Sequence, residues 1–217
     1  MARHRAALFD MDRTLVRRDT ATLFMRYQHD IGQATFREVL QAGWWVLLYT
    51  LGWCDAPRVA AKAIERYAGW REALLYESCE RWYPEYVRPH ISAAGRAAVA
   101  AHLAAGDFVA IVSGALRFAV RPLARELGVA HVLCSDVEVE DGLLTGRMAQ
   151  LCYGSSKVQL AARIAETEGF DLADATFYTD SITDLPLLER VSTRVVVNPD
   201  ARLRRVARRR GWRVEEW

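Results

Sequence analysis

From Ile91 onward, short apolar runs alternate with stretches whose apolar residues recur every three or four positions, and this alternation leaves few folds open. Phe108 to Val112, Val129 to Cys134, Ala175 to Tyr178 and Thr193 to Val197 read as buried strands. Between them, Ser92 to Ala105, Leu116 to Leu127, Ser156 to Gly169 and a short Asp184 to Arg190 read as helices. Parallel neighbours need long crossovers, so strands alternating with helices predict a doubly wound, mostly parallel α/β sheet. Asp141-Gly142, between Val137 to Glu140 and Leu143 to Thr145, is the exception, a two-residue hairpin turn. Asp200 is placed to cap a last helix to about Arg210, and Trp212 to Val214 fits an edge strand. Ligands in such a sheet sit beyond the carboxyl ends of the strands.

The chain opens with its own strand, Ala6 to Phe9, which delivers Asp10 and Asp12 into a turn. Residues two apart project to the same side, and like charges that close raise each other's pKa unless a cation intervenes. Alone, the pair fits a solvated turn, a divalent-metal site or a nucleophile with its proton donor. After Leu15 the pattern turns helical to about Arg88, over Thr20 to Asp30, Ala34 to Leu51, Pro57 to Tyr67 and Trp70 to Tyr86. The expected division is therefore a core of residues 1–16 and 90–217 with an all-helical cap of residues 17–89.

Composition bounds the rest. At 217 residues, with 52% hydrophobic and 26% charged residues, the chain reads as a globular protein long enough for one sizeable domain, or for a core plus a smaller insertion. A net charge of +2 gives no reason to expect a nucleic-acid partner. The Arg-rich stretch from Arg202 to Arg213 reads as a solvated helix face, partly offset by Glu215 and Glu216. Cys54, Cys79, Cys134 and Cys152 show no metal or redox spacing and read as small buried hydrophobes in a reducing cytoplasm. Val39 to Cys54 is too short to span a membrane and is interrupted by Gln41 and Thr50; it is expected to be a buried helix, its tryptophans candidates for a dimer-forming surface.

Three further strand ends or helix starts carry polar chemistry. Ser113-Gly114 follows Ala110-Ile111-Val112, where a hydroxyl beside a Gly N–H suits a phosphoryl oxygen as well as a plain turn. Lys157 is one of two lysines in an arginine-using chain and stands in a helix's first turn after Ser156, with Gln159 placed to complete a capping box. A cation there opposes the helix dipole, so it either faces an anion or points to solvent. Thr179-Asp180-Ser181-Ile182-Thr183-Asp184 adds two carboxylates after another strand, Asp184 also fitting a helix cap.

In order, Asp-x-Asp-x-Thr, Ser-Gly, Lys and Asp-x-x-x-Asp resemble the four motifs of the haloacid dehalogenase superfamily, in its phosphoserine-phosphatase-like branch with a helical cap after the first motif. The resemblance implies a Mg²⁺-dependent phosphomonoesterase acting through an aspartyl-phosphate. Asp10 is then the nucleophile, Asp12 the acid and base, and Lys157, Ser113, Gly114 and Thr14 the phosphate-binding group. Mg²⁺ is expected on Asp10, Asp12 (through its carbonyl) and Asp180, with Asp184 in support. Asp19 stands where phosphoserine phosphatases carry a glutamate that meets the substrate amine; it equally fits a helix N-cap.

The expected substrate is a small, amine-bearing phosphate ester such as phosphoserine, whose carboxylate needs a cation; Arg26, Arg58, Arg66 and Arg71 are cap candidates. Histidinol phosphate fits Asp19 equally well. A phosphotransferase and a non-catalytic binding module are the rival classes. Arg13 fills a slot that is usually small in the family, and Ser181 and Thr183 replace the glycine and asparagine typical of phosphoserine phosphatases.

Overall fold

The computed structural model describes residues 5–35, 37, 40–41, 44 and 56–217. Most of the Val39 to Cys54 stretch, and with it the expected dimer surface, lies outside these residues. Among the described residues no helix is long and apolar enough to cross a membrane.

Among the described residues, seven strands form one sheet: β1 (Ala6–Phe9), β2 (Phe108–Leu116), β3 (His131–Glu140), β4 (Leu143–Gln150), β5 (Thr176–Thr179), β6 (Thr193–Val197) and β7 (Arg213–Glu215). Their spatial order is β4-β3-β2-β1-β5-β6-β7, parallel throughout except the β3–β4 hairpin. Every residue of β1 is buried, as a central strand covered on both faces requires. Alternate residues serve opposite layers. Ala7, Phe9, Val109 and Ile111 join one hydrophobic cluster, while Ala6, Leu8, Ala110 and Val112 join the other.

Among the described residues, the α-helices with defined bounds are α1 (Thr20–Asp30), α2 (Ala56–Glu65), α3 (Glu72–Trp82), α4 (Ala93–Ala104), α5 (Arg117–Leu127), α6 (Ser155–Glu168), α7 (Leu185–Leu188) and α8 (Ala201–Arg210). The helical segment leaves the sheet at Val16 and returns at Ile91, where the two crossings pair antiparallel. Arg17 N–H donates to His90 O at 2.8 Å, and Ser92 N–H to Leu15 O at 2.8 Å. Leu23, Tyr27, Ile64, Leu75, Cys79 and Trp82 then join the same hydrophobic cluster as Phe9 and Ile111.

Several expected boundaries move. The strand and hairpin arm expected at Val129 to Cys134 and Val137 to Glu140 are one strand, β3. The polar Ser135-Asp136 that separated them stays extended because Ser135 Oγ accepts from Cys152 N–H and Asp136 pairs with Arg117. β2 runs on past Val112 through Ser113 to Leu116, with a register shift in that stretch. The helix expected from Trp70 starts at Glu72, because the preceding residues clasp the hairpin instead. Gly69 N–H donates to Leu144 O at 2.8 Å, Leu144 N–H to Trp70 O at 2.8 Å, and Glu72 N–H to Gly142 O at 2.9 Å. Its last turn, Tyr83–Val87, widens into a π-helical turn at Pro84, which has no N–H for the regular ladder.

Candidate active site

Phe9 is level with Ile111 on one side and Tyr178 on the other, so Ser113 and Asp180 each follow two residues later, flanking the Asp10–Asp12 turn. This register alone brings three of the four expected segments to one edge of the sheet. The fourth arrives on α6. The capping box expected from Ser156 and Gln159 is absent: Gly154, at φ 54°, precedes the helix and no side chain caps it. Only glycine tolerates that backbone easily, and the turn sends Lys157 inward.

Lys157 is 3% exposed and bridges two carboxylates, with Nζ donating to Asp10 Oδ1 at 2.6 Å and to Asp184 Oδ2 at 2.8 Å. Thr179, the last residue of β5, donates its hydroxyl to the same Asp184 Oδ2 at 2.6 Å. Asp184 therefore turns its carboxylate into the site and not onto α7, which it precedes without a side-chain cap. A buried ammonium held by two carboxylates stays protonated: burial lowers its pKa, but Asp10 and Asp184 raise it well above the ordinary value.

Asp12 faces the other way around the turn. Its Oδ1 accepts from Thr20 N–H at 2.8 Å, the first amide of α1. Asp19 caps the same helix, accepting from Thr22 N–H and Thr22 Oγ1, both at 2.8 Å. The expected N-cap is thus present, and it sets a second carboxylate beside Asp12. Burial, then Asp19, then Asp10 push the Asp12 carboxyl up to about 8. Burial and Asp184 carry Asp10 up to about 6 even against the opposing pull of Lys157. Asp180 is raised well above its ordinary value by burial, Asp10 and Asp184, with Arg13 opposing.

Ser113 is buried within β2, where its register with β3 shifts, its Oγ accepting from Ala115 N–H at 3.1 Å. Gly114 is exposed, and an added Cβ would come within 3.5 Å of Cys152 O, so the backbone stands open there. Thr14 is fully buried and its Oγ1 has no protein partner. Sequence reading missed Thr179, whose only signal was its place before Asp180. It also missed Asn198, whose Nδ2 donates to Arg13 O at 3.2 Å from the end of β6.

The donor set fits a hard divalent cation. Asp184 Oδ1 is buried with no hydrogen-bond partner, and like-charge repulsion adds to burial in raising the carboxyl pKa values, Asp184 acting on Asp10, Asp10 on Asp12, and both Asp10 and Asp184 on Asp180. Among the described residues, no three acidic, His or Cys side chains form a ready-made cage. Magnesium does not require one, since it binds through one or two carboxylates, water and substrate phosphate.

A model of the haloacid dehalogenase-like hydrolase family matches residues 7–189. The phosphoserine phosphatase SerB1 of Mycobacterium tuberculosis (strain ATCC 25618 / H37Rv) is 34% identical over 222 residues, 98% of this chain and 70% of that protein. A histidinol-phosphatase of Neisseria meningitidis serogroup C (strain 8013) is 29% identical over 214 residues, 96% of each. Among solved structures, a protein of unknown function from Bordetella pertussis Tohama I matches with a TM-score of 0.89 at 31% identity, covering 99% of both chains. A phospho-aspartyl intermediate analogue of phosphoserine phosphatase matches in fold, with a TM-score of 0.72 at 18% identity over 99% of this chain and 93% of that one. The chain belongs to the haloacid dehalogenase-like hydrolases.

Proposed function

We propose that the protein is a Mg²⁺-dependent phosphomonoesterase that works through an aspartyl-phosphate on Asp10. The observation that carries this reading is the buried Lys157 joining Asp10 to Asp184 where Asp12 and Asp180 also stand. One oxygen of Asp10 is held by Lys157, and the other attacks phosphorus in line as the bond to the leaving oxygen breaks. Asp12, whose raised pKa keeps a proton available near neutrality, protonates the leaving alkoxide. It then takes a proton from the water that attacks the aspartyl-phosphate, which frees inorganic phosphate and restores Asp10. Lys157, Ser113, the Gly114 N–H and Thr14 compensate charge on the phosphoryl oxygens.

Mg²⁺ would be held by Asp10, the Asp12 carbonyl and Asp180, with Asp184 in support, and would supply charge neutralisation to the phosphoryl group. It would also draw Asp10 back to the ionised form that a nucleophile needs. Residues 17–89 act as the cap over this site, and Asp19 receives a substrate amine. The named activities of the relatives favour phosphoserine, with histidinol phosphate as the second reading, because a histidinol-phosphatase matches over 96% of its length.

The test is phosphate release from p-nitrophenyl phosphate, phosphoserine and histidinol phosphate with and without Mg²⁺. Asp10→Asn is expected to lower kcat by at least about a thousandfold while leaving the thermal melt in place. Residual turnover within about tenfold of the parent would remove Asp10 as nucleophile. Mg²⁺ should raise the Tm of the parent and not of Asp180→Asn, a readout independent of turnover.

A further inference from the structure

Arg13, between Asp12 and Thr14, has φ 58°, in the left-handed region where a non-glycine residue is uncommon. Among the described residues the other non-glycine positions of this kind are Asp141 and Asn198, types whose short polar side chains tolerate it. Arginine has no such side chain, and a strained backbone persists only where its surroundings over-determine it. The turn closes on itself through Val16 N–H to Met11 O at 2.9 Å, and Thr20 N–H holds Asp12 Oδ1 at 2.8 Å. Neither bond reaches Arg13. Its carbonyl is taken by Asn198, whose Nδ2 donates to it at 3.2 Å from the far end of the chain.

Phe9, Tyr178 and Val195 stand level in the sheet, so Asn198 leaves β6 as many residues beyond that level as Asp12 leaves β1. Asn198 is itself fixed on several sides. Its backbone N–H donates to Glu215 O at 2.9 Å, its Oδ1 accepts from Trp217 N–H at 2.9 Å, and its Nδ2 also donates to Trp217 O at 3.3 Å. Trp217 is seated in turn: its ring centroid lies 5.5 Å from that of Tyr178, and a Cβ added at Gly95 would come within 3.0 Å of the ring. Two residues after Asn198, Asp200 N–H donates to Asp180 O at 2.9 Å, and the Asp200 carboxylate accepts from Ile182 N–H at 2.7 Å. Asn198 to Asp200 thus forms a bracket across the two loops that carry Asp12 and Asp180. The place at φ 43° calls for a short side chain that donates and accepts at once; aspartate has the shape of asparagine and lacks the donor.

We propose that Asn198 is a positioning residue for the first motif: by holding the Arg13 carbonyl it keeps that turn in its left-handed form, and so keeps Asp12 in place to protonate the leaving oxygen. Without the bond, Arg13 relaxes towards an ordinary φ, and the peptide planes on either side turn Asp12 and Thr14 with it. This rests on the phosphatase reading and adds to it a residue that acts through the turn and not on the phosphate.

A displaced acid leaves a signature that a general loss of folding does not. p-Nitrophenolate departs readily without a proton, whereas the more basic phenolate of phenyl phosphate, an ester of similar shape, depends on the proton from Asp12. The test compares kcat/KM for these two esters, a constant that covers the steps up to departure of the leaving group. Asn198→Asp is expected to lower it about tenfold or more for phenyl phosphate and less than about threefold for p-nitrophenyl phosphate. Trp217→Ala, which unseats the residue that fixes Asn198, should move the ratio the same way by a smaller factor, and it decides the matter if Asn198→Asp does not fold. Losses that leave the ratio of the two esters within about twofold of the parent's overturn the proposal, whatever happens to Tm. A parent that hydrolyses neither ester overturns the phosphatase reading, and the proposal with it.

Discussion

Thr179 and Asp19 show how single side chains serve the scaffold and the site together. The Thr179 hydroxyl and Lys157 share Asp184 Oδ2, while Asp184 Oδ1 is already without a protein partner. Thr179→Val would leave a fully buried carboxylate with one bond fewer, at a cost of about 1–3 kcal/mol, read as a lower midpoint in urea. Asp19 caps α1 through Thr22 and also lends its charge to the surroundings of Asp12. Asp19→Ser keeps a capping oxygen and removes the charge, so stability should change by less than about 1 kcal/mol. If Asp19 meets a substrate amine, that variant raises KM for phosphoserine far more than for p-nitrophenyl phosphate. Equal effects on the two would leave Asp19 a cap and nothing more.

At the scale of elements, the β3–β4 hairpin holds the helical segment in place. Gly146 sits at φ 80°, and a Cβ added there would lie 2.9 Å from the Ala68 Cβ and 3.4 Å from Glu65 backbone atoms. Gly146→Ala combines a disfavoured backbone with a clash and should destabilise by roughly 1–3 kcal/mol, visible as a drop in Tm. The hairpin turn was legible because Asp141-Gly142 supplies the positive φ that such a turn demands (51° and 77°). The length of its arms was not. Ser135, Asp136, Arg147 and Gln150 are polar and carry no strand signal; they stay extended through partners elsewhere in the chain, such as Cys152 for Ser135 and Cys134 for Gln150. The same holds at Trp70 and Arg71, where helical spacing was overridden by pairing with the hairpin.

For the whole molecule, Glu126 on α5 gathers distant parts of the chain. It accepts from Tyr83 at 2.9 Å, Arg88 at 2.8 Å and Arg96 at 2.5 Å, joining the end of the helical segment to α4 and α5. Burial alone would raise its pKa, but those three donors outweigh it and hold the carboxyl down at about 2, against an ordinary 4.5. A depressed pKa stabilises the fold above the ordinary value, and the contribution disappears as pH falls from 4.5 towards 2. Glu126→Gln should therefore lower Tm near neutrality by an amount equivalent to about 1 kcal/mol and converge with the parent in acid. A gap that persisted below pH 2 would assign the loss to packing. The alternation of strands and helices was readable from residue pattern alone, and so were the strand ends that carry Asp10 and Asp180, whereas the strand expected to stop before Ser113 runs on to Leu116. Strand order and the partners of Lys157 were not, because they depend on contacts between residues as far apart as Asp10 and Lys157. The three backbone bonds between Gly69–Glu72 and the hairpin, together with the paired crossings at Val16 and Ile91, fasten the inserted helices at both their root and their far side. If these helices cover Asp10 as proposed, a lid riveted in this way does not swing as a door, and traffic to Asp10 must pass by smaller, local movements that leave both fastenings closed.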